Sequence, residues 1–271
     1  MNIALIGLGV MGKNHYTELC KKDINLYCFD LIKPDWIDDD KYFSNLDELL
    51  KNDIDGAIIV VPTKYHYEVF SKIKDKINFI LIEKPLSFSL DEALAIKNSG
   101  VNVAVGFCER FNPVSLEFLK HIKNEEIKYA SFIRASKKPA RISDVGVDLD
   151  LCVHDLDLAN FFGIKASFKI NRTNNPCTQI KLNSNNLDIL ASWEFNSRIR
   201  KAFINTNVSS YELDFLNSKL IKDETTITLQ THSSLAKEQD EFINYIKTND
   251  LGLLASVDDA IYTQEILKNL N

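Results

Sequence analysis

The sequence predicts an α/β protein of two parts, a doubly wound parallel sheet followed by an α+β domain with a mostly antiparallel sheet. Two observations support this fold class. Residues 1–112 alternate short, continuously apolar runs with helical patterns, which is typical of parallel strands that helices cover on both faces. From residue 165 onward, apolar and polar residues alternate between Asn- and Ser-containing turns, which is typical of an antiparallel sheet with one face in water.

The first part contains the alternation of strands and helices that a parallel sheet needs. Its predicted strands cover residues 2–7, 25–30, 55–62, 78–85 and 101–107. The predicted helices between them cover residues 10–22, 45–52, 63–74 and 89–99. The last of these helices begins at Ser89, and Glu92 three residues later completes a capping-box pattern. Short links between such elements favour a doubly wound sheet.

The second part begins with helical patterns and then becomes rich in β-structure. Helices are predicted over 114–123 and 148–162, the second ended by Gly163, with a strand over 128–136 between them. Six later segments have the alternation of strands: 165–173, 177–183, 187–195, 200–207, 211–215 and 225–230. Helices over 235–247 and 257–270 close the chain. We therefore place one domain at residues 1–115 and the other at residues 116–271.

Composition argues against several classes of protein. The 271 residues are 45% apolar and 26% charged, as in ordinary globular proteins. The net charge of −6, without a cluster of Lys and Arg, argues against nucleic-acid binding. No apolar run reaches the roughly 20 residues that span a bilayer, and MNIALIGLGVMG lacks the basic start of a secretory signal. Five cysteines without a C-x-x-C pair indicate reduced thiols. We expect a cytoplasmic protein with no nucleic-acid or membrane partner.

A glycine-rich loop follows the first predicted strand. Gly7, Gly9 and Gly12 form G-x-G-x-x-G at the start of a helix, a pattern that lets a backbone approach a pyrophosphate. Asp30 ends the second strand 18 residues after Gly12, where a carboxylate would bind ribose hydroxyls. Asp30 favours NAD over NADP because it would repel a 2′-phosphate, although Lys33 lies nearby. The alternative is a purely structural turn.

Two further strand ends carry polar residues. Pro62 and Thr63 follow the third strand where a cofactor should lie. For His66, as for His15 in the first helix, the favoured interpretation is a helix histidine with a local hydrogen bond. Glu83, Lys84 and Pro85 end the fourth strand, at the sheet edge where ligands bind. A lysine there could hydrogen-bond or exchange a proton with a substrate hydroxyl, and a solvated charged turn is the alternative.

Five motifs in order resemble the Gfo/Idh/MocA family of NAD(P)-dependent sugar oxidoreductases. They are GLGVMGKNH, VPTKYHYEV, EKPLS, VGFCERFNP and DLCVHDLDL, and they span residues 3 to 160. The resemblance implies a Rossmann domain, a second domain on a large open sheet, and a homodimer or homotetramer formed partly through that sheet. It also implies catalysis by Lys84 together with Asp150 and His154.

Residues 141–163 are similar to the branch of this family that oxidises C3 of UDP-N-acetylglucosamine, although Cys152 stands where a glycine is common. We expect contacts to the cofactor from Gly7, Leu8, Gly9, Val10, Met11, Gly12, Asp30, Pro62, Thr63, His66, Glu83 and Lys84. We expect contacts to the substrate from Arg110, Arg141 and Asp157, with plain surface arginines as an equal alternative for the first two.

The segment DLDLCVHDLDL, residues 148–158, contains four aspartates and one histidine. At 100° per residue, Asp150, His154 and Asp157 share one helix face, and Asp148 and Asp155 share the opposite side. The first set could bind a metal, but no cysteine or second histidine lies at ligand spacing. A solvated acidic helix is the other alternative. We interpret Asp150 and His154 as a catalytic pair and expect no metal.

The resulting hypothesis is an NAD-dependent oxidoreductase that oxidises C3 of a nucleotide sugar such as UDP-N-acetylglucosamine to a 3-keto sugar. His154 would remove the hydroxyl proton, Asp150 would orient its ring, and Lys84 would stabilise the oxygen. Which of Lys84 and His154 is the base stays open. The alternatives are a dehydrogenase of a free sugar or cyclitol, and a non-catalytic NAD-binding regulator.

Overall fold

The computed structural model describes residues 1–140, 145–173 and 177–268 and contains two compact units. The first unit combines Met1–Phe107 with Leu235–Ile261, and the second combines Cys108–Ser234 with the described residues after Ile261. The predicted division at residue 115 puts Leu235–Ile261 in the second domain, whereas in the structure this segment belongs to the first unit. Each unit is built on one sheet.

The first unit contains a seven-stranded sheet of the Rossmann type, which confirms the predicted fold class. Its strands are β1 (Asn2–Ile6), β2 (Asn25–Phe29), β3 (Tyr42–Phe43), β4 (Gly56–Ile59), β5 (Phe79–Glu83), β6 (Asn102–Gly106) and β15 (Ala255–Ser256). Their order is β15-β6-β5-β4-β1-β2-β3, and every pair is parallel except β15 with β6. The carboxyl ends of β1, β4 and β5 therefore lie at one edge of the sheet, beside the residues predicted to bind a cofactor.

The first unit contains helices that begin in different ways, some of them with a side-chain cap. They are α1 (Val10–Leu19), α2 (Leu46–Leu49), α3 (His66–Ile73), α4 (Leu90–Lys97), α7 (Ser234–Thr248) and the start of α8 (Val257–Lys268). Asn45 caps α2, and Ser89 with Glu92 forms the predicted capping box at α4. No side chain caps α1, which begins after Gly9.

The second unit contains an eight-stranded, mostly antiparallel sheet. Its strands are β7 (Ile127–Lys137), β8 (Lys169–Thr173), β9 (Gln179–Asn183), β10 (Leu187–Ser192), β11 (Glu194–Thr206), β12 (Ser210–Asp214), β13 (Lys219–Lys222) and β14 (Thr225–Ile227). The order is β14-β13-β12-β11-β7-β10-β9-β8. This confirms the predicted mostly antiparallel sheet, in which β10 and β7 form a parallel pair.

Two helices pack on this second sheet. They are α5 (Pro113–His121) and α6 (Val153–Phe161), and a π-helical turn, Asp148–Cys152, precedes α6. The buried ring of Phe118 in α5 lies edge-on to Phe162, 4.9 Å between centroids, and to Tyr211 of β12, 5.1 Å. Aromatic contacts of this kind join the helices to the sheet.

Among the described residues, no helix is long and apolar enough to cross a membrane. The five cysteines of the chain are free.

The end of β1 and the start of α1 approach one another so closely that only glycine fits. A Cβ at Gly12 would lie 2.1 Å from the carbonyl oxygen of Gly7, whereas a Cβ at Gly9 would meet nothing within 4 Å. Gly7 itself has a φ of +103° and lies against the backbone of Val60 after β4. The three segments are therefore packed backbone to backbone.

Gly12→Ala should lower the free energy of unfolding by about 1–3 kcal/mol, because the added methyl group pushes α1 away from β1. Gly9→Ala is the matched control and should leave stability close to wild type, since its Cβ points into open space at an ordinary φ of −70°. Urea unfolding followed by circular dichroism measures both. Equal midpoints for the two variants would show that the contact does not hold the helix.

Candidate active site

Backbone hydrogen bonds hold the glycine loop beside the carboxylate of Asp30. The Leu8 N–H donates to Asp30 Oδ2 at 2.6 Å, and the Gly7 N–H donates to the Phe29 carbonyl at 2.9 Å. These bonds fix the end of β1 against the end of β2. They place the Asp30 carboxylate next to the first residues of α1.

This arrangement fits a dinucleotide. The first amides of α1 have no partner within the helix, and no side chain caps them, so they can bind an anion. An anion can approach these amides from solvent, because Gly9 has no side chain and Val10 is 65% exposed. Leu31 and Ile32, directly after Asp30, are 83% and 80% exposed. They offer an apolar surface of the kind that a planar base covers.

The side chains around Asp30 bear on the choice between NAD and NADP. Lys33, the one nearby cation that the sequence suggested as a ligand for a 2′-phosphate, forms an ion pair with Asp39. Tyr42 donates its hydroxyl to the Asp30 carbonyl oxygen at 2.9 Å. The partner of Lys33 is therefore a carboxylate on the surface.

The residues that follow β4 are packed more tightly than the sequence suggested. Thr63 and His66 are buried, whereas Pro62 is exposed. The His66 ring nitrogens lie 2.9 Å from the carbonyl oxygens of Val61 and Pro85. Burial lowers the pKa of His66, although both carbonyls favour the protonated ring. His66 thus joins the ends of β4 and β5, and its predicted contact with a cofactor stays a prediction.

Glu83 and Lys84 lie at the end of β5, as the sequence predicted. The Lys84 N–H donates to Glu83 Oε2 at 3.2 Å, and the Lys84–Pro85 peptide bond is cis. The other carboxylate oxygen, Oε1, lies 2.9 Å from Nε2 of the buried His15. No local pattern indicates this pair, because its members are 68 residues apart.

The second unit carries the segment with four aspartates. The predicted single α-helix over 148–162 is wrong at its start, because Asp148–Cys152 is a π-helical turn in which the Val153 N–H donates to the Asp148 carbonyl. A π turn contains more residues than an α turn, so the 100° rule does not hold across it. Asp150 is buried in this turn, and His154 is half-buried at the start of α6.

The solvated acidic helix is also wrong as an interpretation of this segment, because Asp150, Asp155 and Asp157 are all buried. Arg110 donates from Nε and Nη2 to the two oxygens of Asp157, at 2.8 and 2.6 Å. Arg110 is 4% and Asp157 1% exposed. Each is thus engaged with the other, and their predicted substrate contacts stay predictions. Arg141, the third predicted contact, lies outside the described residues.

A second buried ion network lies beside the first. Arg134 of β7 contacts Asp155 at 2.8 Å and Glu109 at 3.0 Å, and Arg200 of β11 contacts Glu109 at 2.9 Å. Burial alone would raise the pKa of Glu109, but the charges of Arg134 and Arg200 and hydrogen bonds from Arg134 and Asn112 outweigh it and hold the pKa below its usual value.

Together, Arg110, Arg134 and Arg200 balance Glu109, Asp155 and Asp157. Sequence reasoning missed Glu109, Arg134, Asp155 and Arg200 as members of this network. The alternation of β7 offered one signal, because Ala130, Phe132 and Arg134 share the inward face of the strand.

Comparison with known proteins supports the assignment of the first unit. Residues 1–106 match the model of the Gfo/Idh/MocA family, described as an oxidoreductase family with an NAD-binding Rossmann fold. The oxidoreductase YrbE of Bacillus subtilis is 30% identical over 178 residues, which are 58% of this chain and 52% of that protein. The scyllo-inositol 2-dehydrogenase (NAD(+)) of the same organism is 34% identical over 119 residues, 40% and 35% of the two chains.

A third relative matches in both sequence and structure. The UDP-N-acetylglucosamine 3-dehydrogenase of Acidithiobacillus ferrooxidans is 30% identical over 120 residues, 43% of this chain and 38% of that protein. Its solved structure superimposes with a TM-score of 0.85 at 22% identity, over 100% of this chain and 96% of that one. In sequence, the chain spans about half or less of the length of these curated relatives. The structural match shows a shared fold.

Glu109→Gln should destabilise the protein at neutral pH by about 3–5 kcal/mol, because two arginines lose a buried counter-charge. The pKa of Glu109 is lower in the folded than in the unfolded chain. Its contribution to stability is therefore complete above the unfolded pKa and is lost as pH falls through the folded pKa. Urea unfolding at pH values from 7 to 3 should show wild type and variant converging.

Glu117→Gln, on the partly exposed surface of α5, is the control and should change stability at neutral pH by less than about 1 kcal/mol. A constant difference between wild type and Glu109→Gln at every pH would contradict the assignment of a depressed pKa to Glu109.

Proposed function

We propose that this chain, whose residues 1–106 belong to the Gfo/Idh/MocA oxidoreductase family with an NAD-binding Rossmann fold, is an NAD-dependent dehydrogenase of a sugar hydroxyl. The observation that carries the proposal is the bond from the Leu8 amide to Asp30 beside the uncapped start of α1. It joins an anion-binding helix end to a carboxylate suited to ribose hydroxyls.

The chain's own residues would handle the proton of the alcohol. NAD, when bound, supplies the acceptor for the hydride that leaves the carbinol carbon. His154 removes the hydroxyl proton, and Asp150 orients the imidazole and raises its basicity. Lys84 hydrogen-bonds the substrate oxygen and stabilises the negative charge that develops on it. The products are a ketone, NADH and one proton.

The most specific form of the proposal is oxidation of C3 of a nucleotide sugar such as UDP-N-acetylglucosamine to the 3-keto sugar. The similarity of residues 141–163 to that branch of the family supports it, as does the relative from Acidithiobacillus ferrooxidans. The scyllo-inositol relative favours the second candidate, a dehydrogenase of a free sugar or cyclitol. An NAD-binding regulator without catalysis is the third.

We also propose a homodimer or homotetramer that forms through the second sheet. Phe203 of β11 is 41% exposed on the sheet face opposite to its buried neighbours Ala202 and Ile204. The family resemblance is the ground for this proposal, and Phe203 is one residue that an interface on this face would bury.

Wild-type protein with NAD should reduce the cofactor with one member of a panel of UDP-sugars, free sugars and cyclitols, followed at 340 nm. Lys84→Ala and His154→Ala should each lower kcat by about 100-fold or more, because each removes a group that handles the proton or the developing charge. Tight NAD binding with no turnover of any compound would instead support the regulator. Near-wild-type turnover by both variants would refute the assigned roles.

Asp30→Ala should weaken NADH binding by about 10- to 100-fold, because it removes a charged acceptor for the ribose hydroxyls. It should weaken NADPH binding less, since the same change removes a repulsion. Titrations of cofactor fluorescence give both dissociation constants without a substrate. Lys33→Ala is the control and should change neither by more than about threefold, because Lys33 already pairs with Asp39. An unchanged preference in Asp30→Ala would exclude this residue as the discriminator.

A further inference from the structure

A chain of hydrogen bonds runs through the interior of the first unit and ends at the backbone of Lys84. It begins at Gln239 of α7, continues through His15 of α1 and Glu83 of β5, and reaches the Lys84 N–H. We call these four residues the Lys84 support chain. Gln239 and His15 are fully buried, and Glu83 is nearly so. None of its first three members was assigned this role by the sequence.

The contacts of Gln239 determine which nitrogen of His15 carries the proton. Gln239 Nε2 lies 3.1 Å from the His15 carbonyl oxygen and 3.2 Å from His15 Nδ1. A carbonyl oxygen only accepts, so the amide nitrogen must face it. In the opposite orientation, the Gln239 amide oxygen would face the His15 carbonyl oxygen, and the two acceptors would repel each other. With the nitrogen facing the carbonyl, the amide oxygen has no partner among the described residues, which costs less.

The second hydrogen of the same amide group then points at His15 Nδ1, which must accept it. The proton of the neutral ring therefore lies on Nε2, which donates to Glu83 Oε1 at 2.9 Å. Gln239 thus sets the tautomer of His15, and His15 holds one oxygen of Glu83. The other oxygen, Oε2, accepts the Lys84 N–H.

The backbone around Glu83 is shaped to keep the carboxylate in this place. Glu83 pairs with Gly106 across the sheet. A Cβ on Gly106 would lie 3.2 Å from Glu83 Cδ and 3.4 Å from Oε1. Glycine at this position therefore leaves the space in which the carboxylate lies.

A metal site is the rival interpretation of this region. Ligand atoms of His15, Glu83 and Glu238 lie within 4.8 Å of one another. A metal at His15 Nε2 would require the ring proton to move to Nδ1. A proton on His15 Nδ1 would then face the hydrogens of Gln239 Nε2. The hydrogen bonds therefore favour the support chain over a metal.

We infer that Gln239 is a positioning residue for Lys84, acting through the tautomer of His15 and the carboxylate of Glu83. The inference rests on the proposed function for the catalytic role of Lys84. It adds that the late segment of the chain, which returns to the first unit, takes part in setting the geometry of that lysine.

The first test uses nuclear magnetic resonance and needs no substrate. In protein with ¹⁵N-labelled histidine, the wild-type His15 ring should carry its proton on Nε2, with the signal assigned by its loss in His15→Asn. Gln239→Glu should move the proton to Nδ1 or add a second one, because a carboxylate accepts where the amide donates. In uniformly ¹⁵N-labelled protein, the amide signal of Lys84 should shift in the same variant.

Asp240→Asn is the matched control, since it changes the next residue on the exposed side of α7 and removes only the surface pair with Lys22. Its His15 ring and its Lys84 amide should match wild type. A wild-type proton on Nδ1, or a ring state that Gln239→Glu does not change, would overturn the inference.

The second test is kinetic. Gln239→Glu and the isosteric Gln239→Met should lower kcat by about 10- to 100-fold, while the dissociation constant for NADH stays within about twofold, and Asp240→Asn should match wild type. Gly106→Ala, on another strand, should lower kcat in the same way. It serves as the test if the Gln239 variants fold poorly. Normal kcat in Gln239→Glu, Gln239→Met and Gly106→Ala would overturn the positioning role. A wild-type protein without turnover would refute the proposed function, and the Lys84 amide signal would still test the support chain.

Discussion

The contact between α1 and the end of β1 is the constraint on which the first unit depends. The helix lies so close that a Cβ at Gly12 would be 2.1 Å from the Gly7 carbonyl oxygen. Because the helix starts at this point, its free amides lie beside Asp30, and His15 on its buried side reaches Glu83. One backbone contact thus positions both the anion-binding helix end and the residue that holds the carboxylate next to Lys84.

The main constraint in the second unit is the burial of charged side chains. Its three arginines and three carboxylates balance one another beneath the sheet. Breaking a buried pair costs about 3–5 kcal/mol, yet such pairs add little stability over apolar packing. Their effect is to fix geometry. Asp155 and Asp157 anchor α6 to Arg134 and Arg110, and the helix they hold carries His154.

Much of the fold could be predicted from local sequence, because strands of a parallel sheet and capped helices leave local patterns. The five early strands, the capping box at Ser89 and the glycine loop are of this kind. The pairs His15–Glu83 and Arg110–Asp157 leave no such pattern, since their members are 68 and 47 residues apart. The return of Leu235–Ile261 to the first unit and the parallel pairing of β10 with β7 are likewise set by tertiary packing.

The π turn shows a further limit of reasoning from helical periodicity. Angles of 100° per residue sorted the aspartates of residues 148–158 into two sets, but the chain takes a wider turn over Asp148–Cys152. The aspartates can instead be grouped by the side chains that they contact. Asp155 and Asp157 bind arginines. Asp150 lies in the turn directly before His154. Asp150 and His154 remain the pair proposed for proton transfer because of the family resemblance.

In the proposed reaction, a hydride moves directly from a sugar carbon to NAD. UDP-N-acetylglucosamine that carries deuterium at C3, incubated with unlabelled NAD, tests it most directly through the mass of the reduced cofactor. Direct transfer should give NADH that is one mass unit heavier than the product from unlabelled sugar, together with a 3-keto sugar. Unlabelled NADH, or deuterium released to water, would contradict it.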